Sequence, residues 1–216
     1  MIKNLFFDLD GTILDSLEGI RVAINKTLEI CKIEKSFSYD DCKFLIGDGA
    51  ETLIKRALGE IYGDNPLTKK VRGTYYQNYK YYQSLYTKTF PGLLEVLEAL
   101  ISKGINCFVI TNKPDDLAQI IVKKYFGDLF KDIRGIRQGD KVKPNPQILD
   151  EIINKYSLNR DECLYVGDSH VDIETAKNAN LESVLCLWGY ETNYEKYKKE
   201  ATHICEKYED LLNLIL

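Results

Sequence analysis

Two carboxylates separated by one residue stand near the amino terminus of this sequence, in Asp8-Leu9-Asp10-Gly11-Thr12. The residues before them, from 2 to 7, are mostly apolar and aromatic, which predicts a buried strand that ends at Asp8. Because side chains alternate along a strand, Asp8 and Asp10 should point to the same side. Two close carboxylates repel each other unless a cation lies between them. This pair therefore predicts a metal site.

Gly11 and Thr12 add groups that could bind an anion. A glycine at this point lets the backbone turn sharply and leaves amide N–H groups able to face a phosphate. The hydroxyl of Thr12 is a further hydrogen-bond donor. Ligands for a hard cation and donors for an anion therefore lie within five consecutive residues.

The elements that must position this chemistry follow from the second half of the chain. From residue 90 onward helical and strand patterns alternate, which predicts an α/β fold with a doubly wound parallel sheet that includes the first strand. In such sheets, ligands bind outside the carboxyl ends of the strands. The polar side chains expected along this edge are Asp8, Asp10, Thr111, Asn112, Lys143, Asp168 and Asp172. We expect them to converge on one site.

Residues 16–86 interrupt this alternation with helical patterns only. Asp15 and Glu18 have the spacing of a capping box, which predicts a helix that begins near residue 16. A glycine-rich loop with Gly47 and Gly49 separates two of the helical segments. We therefore predict two domains: a catalytic core formed by residues 1–15 and 87–216, and a helical insert formed by residues 16–86.

Composition limits the possible partners of the protein. The 216 residues are 44% hydrophobic and 29% charged, with a net charge of −4, which is ordinary for a globular protein and disfavours nucleic-acid binding. Six cysteines lack any C-x-x-C spacing, which favours reduced thiols. No signal peptide or membrane span is recognisable. We expect a cytoplasmic protein without membrane partners, either a monomer or a homodimer.

With these residues in this order, the sequence resembles the haloacid dehalogenase superfamily of phosphohydrolases. The four similar motifs are Asp8-x-Asp10-Gly11-Thr12, Thr111-Asn112, Lys143-Pro144 and Gly167-Asp168-Ser169-x-x-Asp172. The resemblance implies a Rossmann-like core in which residues 16–86 form a helical cap domain. Three further segments are similar to family members of the phosphoglycolate phosphatase type: Ile46-Gly47-x-Gly49-x-x-x-Leu53, Thr111-Asn112-Lys113 and Trp188-Gly189-Tyr190.

The same resemblance implies a mechanism for a small phosphorylated metabolite. Asp8 would attack phosphorus to form an aspartyl-phosphate, while Asp10 would protonate the leaving oxygen and later deprotonate water. Lys143 would supply positive charge. Mg²⁺ would be held by Asp8, the Asp10 carbonyl and Asp168, whereas Asp172 would either bind the metal through water or orient Lys143. The residues implied in phosphate or substrate binding are Gly11, Thr12, Thr111, Asn112, Gly47 and Gly49.

Other functions stay compatible with this pattern. Inorganic pyrophosphate and nucleoside 5'-monophosphates are substrates of similar relatives. A phospho-accepting receiver domain, which is a signalling switch, also uses an acidic pair, a threonine and a lysine at the ends of sheet strands. Receivers carry the accepting residue on a mid-chain strand and lack an insert, whereas Asp8 follows the first strand. We therefore favour a phosphoglycolate phosphatase-like enzyme.

Overall fold

The computed structural model describes the whole chain, Met1–Leu216, and divides it into two units. The core unit comprises Met1–Asp15 and Thr89–Leu216, and the helical unit comprises Ser16–Lys88. The strands are β1 (Asn4–Phe7), β2 (Leu14–Asp15), β3 (Lys88–Thr89), β4 (Asn106–Pro114), β5 (Asp132–Ile136), β6 (Cys163–Gly167), β7 (Glu182–Cys186) and β8 (His203–Cys205).

Helices flank these strands in the core unit and make up most of the helical unit. Those of the helical unit are α1 (Leu17–Ile30), α2 (Tyr39–Lys43), α3 (Gly49–Leu58) and α4 (Pro66–Tyr86). Those of the core unit are α5 (Leu93–Ser102), α6 (Asp115–Phe126), α7 (Gln147–Lys155), α8 (His170–Asn178), α9 (Tyr194–Tyr197) and α10 (Glu209–Ile215). None of the helices combines the length and the apolar character needed to cross a membrane.

A six-stranded parallel sheet in the order β5-β4-β1-β6-β7-β8 forms the centre of the core unit. The chain adds β4 and β5 on one side of β1 and then places β6, β7 and β8 on the other side. The strand order therefore reverses at β1, where open parallel sheets form their ligand crevice. The predicted α/β class and doubly wound parallel sheet are confirmed.

Alternating side chains of β1 anchor the two layers of helices that cover the sheet. Leu5 and Phe7 are fully buried in a cluster with apolar residues of α5, α6 and α10. Phe6 faces the opposite side, where it stacks on Phe108 with ring centroids 4.9 Å apart and packs with residues of α7 and α8. Because β1 is buried on both faces, its polar continuation at Asp8 is held by a rigid support.

The helical unit rests mainly on the packing of α1 against α4. Tyr75 and Tyr79 of α4 are buried and stack with ring centroids 5.5 Å apart, in keeping with their helical spacing. Asn65 caps α4 by accepting a hydrogen bond from the backbone N–H of Thr68 at 2.8 Å. The loop before α3 holds Gly47 and Gly49 at φ values of 104° and 84°, a conformation that favours glycine.

Two sequence-based expectations differ from the structure. Thr111 and Asn112 lie inside β4, which continues to Pro114 through an irregularity in its pairing with β5. The predicted capping box at Asp15 is wrong, because Ser16 occupies the cap position and Asp15 instead accepts a hydrogen bond from the Tyr190 hydroxyl at 2.9 Å. In contrast, all six cysteines are free and buried, as predicted for reduced thiols.

Two neighbouring isoleucines of α6 test how much the helix layer contributes to stability. The side chain of Ile121 is 1% exposed in the core, whereas that of Ile120 is 49% exposed. We expect Ile121→Ala to lower the free energy of unfolding by about 2–5 kcal/mol because it leaves a cavity. Ile120→Ala, the matched control, should change it by less than about 0.5 kcal/mol. Urea unfolding of both variants measures the difference, and equal losses would contradict the assigned orientation of α6.

Candidate active site

Lys143 is the centre of the polar cluster at the carboxyl end of the sheet. Its Nζ lies 2.7 Å from Oδ1 of Asp8 and 2.7 Å from Oδ1 of Asp172, and the lysine is 3% exposed. The ammonium also donates to the hydroxyl of Tyr165 at 3.1 Å. Lys143 therefore joins the end of β1 to the first turn of α8 beneath the surface of the site.

The neighbouring carboxylates keep Lys143 charged. Burial acts to lower the pKa of Lys143, but the charges of Asp172 and Asp8 outweigh it and raise that pKa well above its ordinary value. For Asp8 the balance goes the other way: burial raises its pKa to about 7, Lys143 lowers it and Asp172 raises it. The ionised form of Asp8 is therefore unfavourable unless a further positive charge lies nearby.

Asn112 fixes the backbone that carries Lys143. The side-chain Oδ1 of Asn112 accepts from the backbone N–H of Lys143 at 2.7 Å, and its Nδ2 donates to the Lys143 carbonyl at 3.2 Å. A single amide thus satisfies both polar groups of one residue in an otherwise irregular loop. Asn112 was predicted as a phosphate ligand, and its side chain is instead engaged in holding Lys143.

Asp168 is the third buried carboxylate of the cluster. Its Oδ1 accepts from the hydroxyl of Thr12 at 3.0 Å and its Oδ2 accepts from the backbone N–H of Tyr190 at 2.7 Å. Burial, with the charges of Asp172 and Asp8, raises the pKa of Asp168 well above its ordinary value. The Thr12 hydroxyl, predicted as a donor to phosphate, therefore points to a carboxylate.

Asp8, Asp168 and Asp172 can hold a divalent cation together. Each offers a carboxylate oxygen, and these three atoms lie within 4.8 Å of one another. When all are ionised, three carboxylates and the single ammonium of Lys143 leave two negative charges in the cluster. Carboxylate oxygens are the ligands that hard divalent cations prefer, so the charge and the donor set both fit such an ion.

Three glycines allow this close packing of acidic side chains. A Cβ on Gly189 would overlap the Asp168 carboxylate, and a Cβ on Gly167 would overlap Asp172. Gly11, at φ +91°, would place its Cβ 2.5 Å from Oδ2 of Asp168. The backbone N–H of Gly11 donates to the Leu14 carbonyl at 2.8 Å, so it closes the turn after β1 rather than facing an anion.

Asp10 belongs to a separate ion pair at the same end of the sheet. Both of its carboxylate oxygens accept from Lys113 Nζ, at 2.8 and 3.0 Å. The backbone N–H of Lys113 donates to the Thr111 hydroxyl oxygen at 3.2 Å, which connects this pair to the predicted phosphate ligand. The side chain of Asp10 is therefore not among the three clustered carboxylates. The metal contact predicted for Asp10 is through its main-chain carbonyl, and it stays a prediction.

The remaining predicted substrate ligands, Gly47 and Gly49, lie in the helical unit. Gly49 begins α3, and the loop between them is closed by an ion pair of Asp48 with Arg56. The guanidinium of Arg56 also donates to the carbonyls of Leu45 and Ile46, at 3.2 and 3.1 Å. Arg56 is therefore engaged in holding this loop.

Sequence reasoning missed several residues that shape the site. Tyr165 lies in a strand that reads as purely apolar, and Lys113 was noted only as part of a family-like segment. Trp188 and Tyr190 were likewise noted only as part of such a segment, and in the structure Trp188 donates from its indole Nε1 to the Thr12 carbonyl at 3.0 Å, next to the contact of Tyr190 with Asp168. A buried polar residue in an apolar strand was the available signal for Tyr165.

Comparison with known proteins agrees with this geometry. Residues 5–186 match the family described as haloacid dehalogenase-like hydrolase. The chain is 30% identical to the phosphoglycolate phosphatase of Vibrio vulnificus, over 100% of this chain and 96% of that protein. It is 33% identical to the phosphoglycolate phosphatase of Aquifex aeolicus, over 88% of this chain and 86% of that protein.

A solved structure gives the same result for the fold. A protein of Haemophilus somnus, described as a predicted phosphoglycolate phosphatase, superimposes with a TM-score of 0.92 at 28% identity, over 100% of this chain and 98% of that one. The chain belongs to the haloacid dehalogenase-like hydrolases. Within that family it is phosphoglycolate phosphatase-like, an enzyme of the phosphoric monoester hydrolase class.

A glycine substitution tests whether the acidic cluster binds a cation. Gly189→Ala should push the Asp168 carboxylate aside and weaken divalent-cation binding by about 10–100-fold, as losses in the shell around metal ligands do. Gly73→Ala is the matched control, because a Cβ at this helical position meets nothing within 4 Å. Calorimetric titration of both variants with Mg²⁺ measures the affinities. Unchanged affinity in a folded Gly189→Ala variant would contradict the assignment of Asp168.

Proposed function

We propose that this protein is a Mg²⁺-dependent phosphatase that hydrolyses a small phosphorylated acid, with phosphoglycolate as the leading substrate, through an aspartyl-phosphate on Asp8. The observation that carries the proposal is the buried cluster in which Lys143 lies 2.7 Å from both Asp8 and Asp172, beside Asp168. A carboxylate held by a lysine and surrounded by further acids is arranged for reaction with an anion only when a cation is also bound.

In the first step, Asp8 attacks phosphorus. Lys143 binds Oδ1 of Asp8, so the other oxygen is the one that forms the new bond to phosphorus. The bond between phosphorus and the ester oxygen breaks, and its electron pair goes to that oxygen, which takes a proton from Asp10. The products of this step are the free alcohol and an aspartyl-phosphate.

In the second step, water attacks the phosphorus of the aspartyl-phosphate and gives a proton to Asp10. Inorganic phosphate leaves and the Asp8 carboxylate is regenerated. The same residue thus serves first as acid and then as base, which restores the starting state. We propose that Lys143 and the hydroxyl of Thr111 stabilise the negative charge on the phosphoryl oxygens.

Mg²⁺ would be held by Asp8, the main-chain carbonyl of Asp10 and Asp168, with Asp172 beside them. When bound, it supplies positive charge that offsets the repulsion between the phosphate dianion and Asp8. The fit rests on the three clustered carboxylates and their net negative charge. No other group in the cluster besides Lys143 is cationic.

The substrate part of the proposal rests on the relatives. Two phosphoglycolate phosphatases match most or all of the chain, including the helical unit. We propose that this unit acts as a cap that contacts the leaving group through the loop of Gly47 and Gly49. Lys43 pairs with Asp40 at 2.9 Å, which leaves the exposed Lys55 as the cation of this region that we assign to the carboxylate of the substrate.

The alternative functions have less support. Pyrophosphate and nucleoside 5'-monophosphates need the same phosphoryl chemistry, so they differ from the leading proposal only in the leaving group. The receiver-domain alternative loses its basis, because the hydrolase family match covers residues 5–186, including the helical unit. We also propose a cytoplasmic location, supported by six free and buried thiols.

Removal of either acid at the end of β1 tests the mechanism. Asp8→Asn should reduce Mg²⁺-dependent phosphate release by at least about 10⁴-fold, because the nucleophile is lost. Asp10→Asn should reduce it by about 10²–10⁴-fold, because proton transfer is lost. Asp128→Asn, at a carboxylate whose side chain is 89% exposed, is the matched control and should be neutral. Near-normal turnover by Asp8→Asn would rule out the covalent mechanism.

A comparison of substrates tests the leaving group. We expect kcat/KM to be highest for phosphoglycolate among phosphoglycolate, pyrophosphate and a nucleoside monophosphate at saturating Mg²⁺. Lys55→Met should lower kcat/KM for phosphoglycolate more than for a neutral alkyl phosphate, because only the first carries a carboxylate. A phosphoprotein that exceeds all three by about 10-fold, which is about 1.4 kcal/mol, would contradict the proposal of a small phosphorylated substrate.

A further inference from the structure

Lys113 is a buried lysine for which the proposed mechanism has no role. Its side chain is 1% exposed, and its Nζ donates to both oxygens of Asp10, at 2.8 and 3.0 Å. The side chain of Asp10 is itself 20% exposed, so the open side of this pair is the carboxylate. An ammonium ion is costly to bury, and a contact to both oxygens of one carboxylate is the arrangement that offsets this cost.

The backbone around Lys113 is shaped to bring it to Asp10. Lys113 lies in the irregular stretch of β4 between Ile110 and Pro114, and its N–H donates to the Thr111 hydroxyl oxygen at 3.2 Å. On the other side, Gly135 of β5 packs so closely that a Cβ there would lie 2.5 Å from the Lys113 carbonyl oxygen and 2.7 Å from Cα of Asp115. The position of Lys113 thus depends on a glycine in the neighbouring strand.

The contact fixes the direction of the Asp10 carboxyl group. Asp10 precedes the sharp turn at Gly11 and lies beyond the end of β1, in an isolated bridge to Leu14. A protonated carboxyl group keeps one oxygen that can accept from Lys113 while the other carries the proton. Lys113 can therefore hold Asp10 in both of the protonation states that the reaction needs.

We infer that Lys113 is a positioning residue that orients Asp10 for proton transfer to the leaving group. The inference rests on the proposed function, in which Asp10 is the acid that protonates the departing oxygen. When the bond from phosphorus to that oxygen breaks, the oxygen receives the electron pair and the proton of Asp10. A misdirected Asp10 would slow this event and leave the binding of the phosphoryl group unchanged.

Two substrates whose leaving groups differ in their need for a proton can distinguish a positioning role of Lys113 from a purely structural one. Phosphoglycolate releases an alcohol, which needs a proton as it departs. Acetyl phosphate is a small anion of similar size that releases a carboxylate, which departs without one. In a covalent mechanism, kcat/KM reports only the steps up to departure of the leaving group, so the later attack of water does not affect the comparison.

The experiment measures kcat/KM of the full chain for both substrates with Mg²⁺. We expect Lys113→Met to lower kcat/KM about 100-fold for phosphoglycolate and less than about 10-fold for acetyl phosphate. The ratio of the two values in one preparation does not depend on the fraction of folded protein. Lys123→Met is the control, because Lys123 is an exposed lysine of α6 paired with Asp128, and its ratio should equal that of the wild type.

Asp10→Asn distinguishes failure of the inference from failure of the proposed function. Suppose that Asp10→Asn lowers kcat/KM more for phosphoglycolate than for acetyl phosphate, whereas Lys113→Met lowers both values equally or lowers neither. The inference is then overturned and the proposed function stands. If Asp10→Asn shows no such preference, the assignment of Asp10 as the acid fails. The double variant, with Lys113→Met and Asp10→Asn combined, should favour acetyl phosphate over phosphoglycolate no more strongly than Asp10→Asn alone. If the effects of the two substitutions on this ratio of kcat/KM values add, the inference is also overturned.

Discussion

The buried ammonium of Lys143 is the interaction on which the site depends. It lies 2.7 Å from Asp8 and 2.7 Å from Asp172, so one charge holds together the end of β1 and the start of α8. Removing one partner of a buried ion pair leaves an uncompensated charge, which is far more costly than the pair itself is stabilising. Asn112 of β4 forms hydrogen bonds to both backbone groups of Lys143, and these bonds connect the buried ammonium to β4.

The end of β1 carries two carboxylates with separate lysines and separate surroundings. Asp8 lies in a cluster with an excess of negative charge, where burial raises its pKa to about 7. Asp10, two residues later, lies in a balanced pair with Lys113. This division suits the proposed reaction, in which Asp8 meets phosphorus beside a cation while Asp10 exchanges protons with the leaving group.

The segment Trp188-Gly189-Tyr190 shows how a family-like motif can act through packing. Trp188 and Tyr190 donate to the Thr12 carbonyl and to Asp168, and Gly189 leaves room for the Asp168 carboxylate. The hydroxyl of Tyr190 also donates to Asp15, for which the sequence pattern predicts a helix cap. These contacts hold the turn after β1 in place, and a Cβ at Gly189 would lie only 2.3 Å from Oδ2 of Asp168.

Periodicity in the sequence was sufficient for the parallel sheet, because apolar runs determine where strands end. It also predicted a helical insert over residues 16–86, the stretch in which the structure has α1 to α4, and it placed Asp8 and Asp168 at the ends of strands. It was not sufficient for the partners of the polar groups. Lys113 and Asp10 are 103 residues apart, and they meet because β4 is irregular and Gly135 permits close approach. The hydroxyl of Thr12 turns to Asp168, 156 residues away, for the same kind of reason. A hydrogen bond depends on tenths of an ångström between distant segments, and only the packed tertiary structure determines such distances.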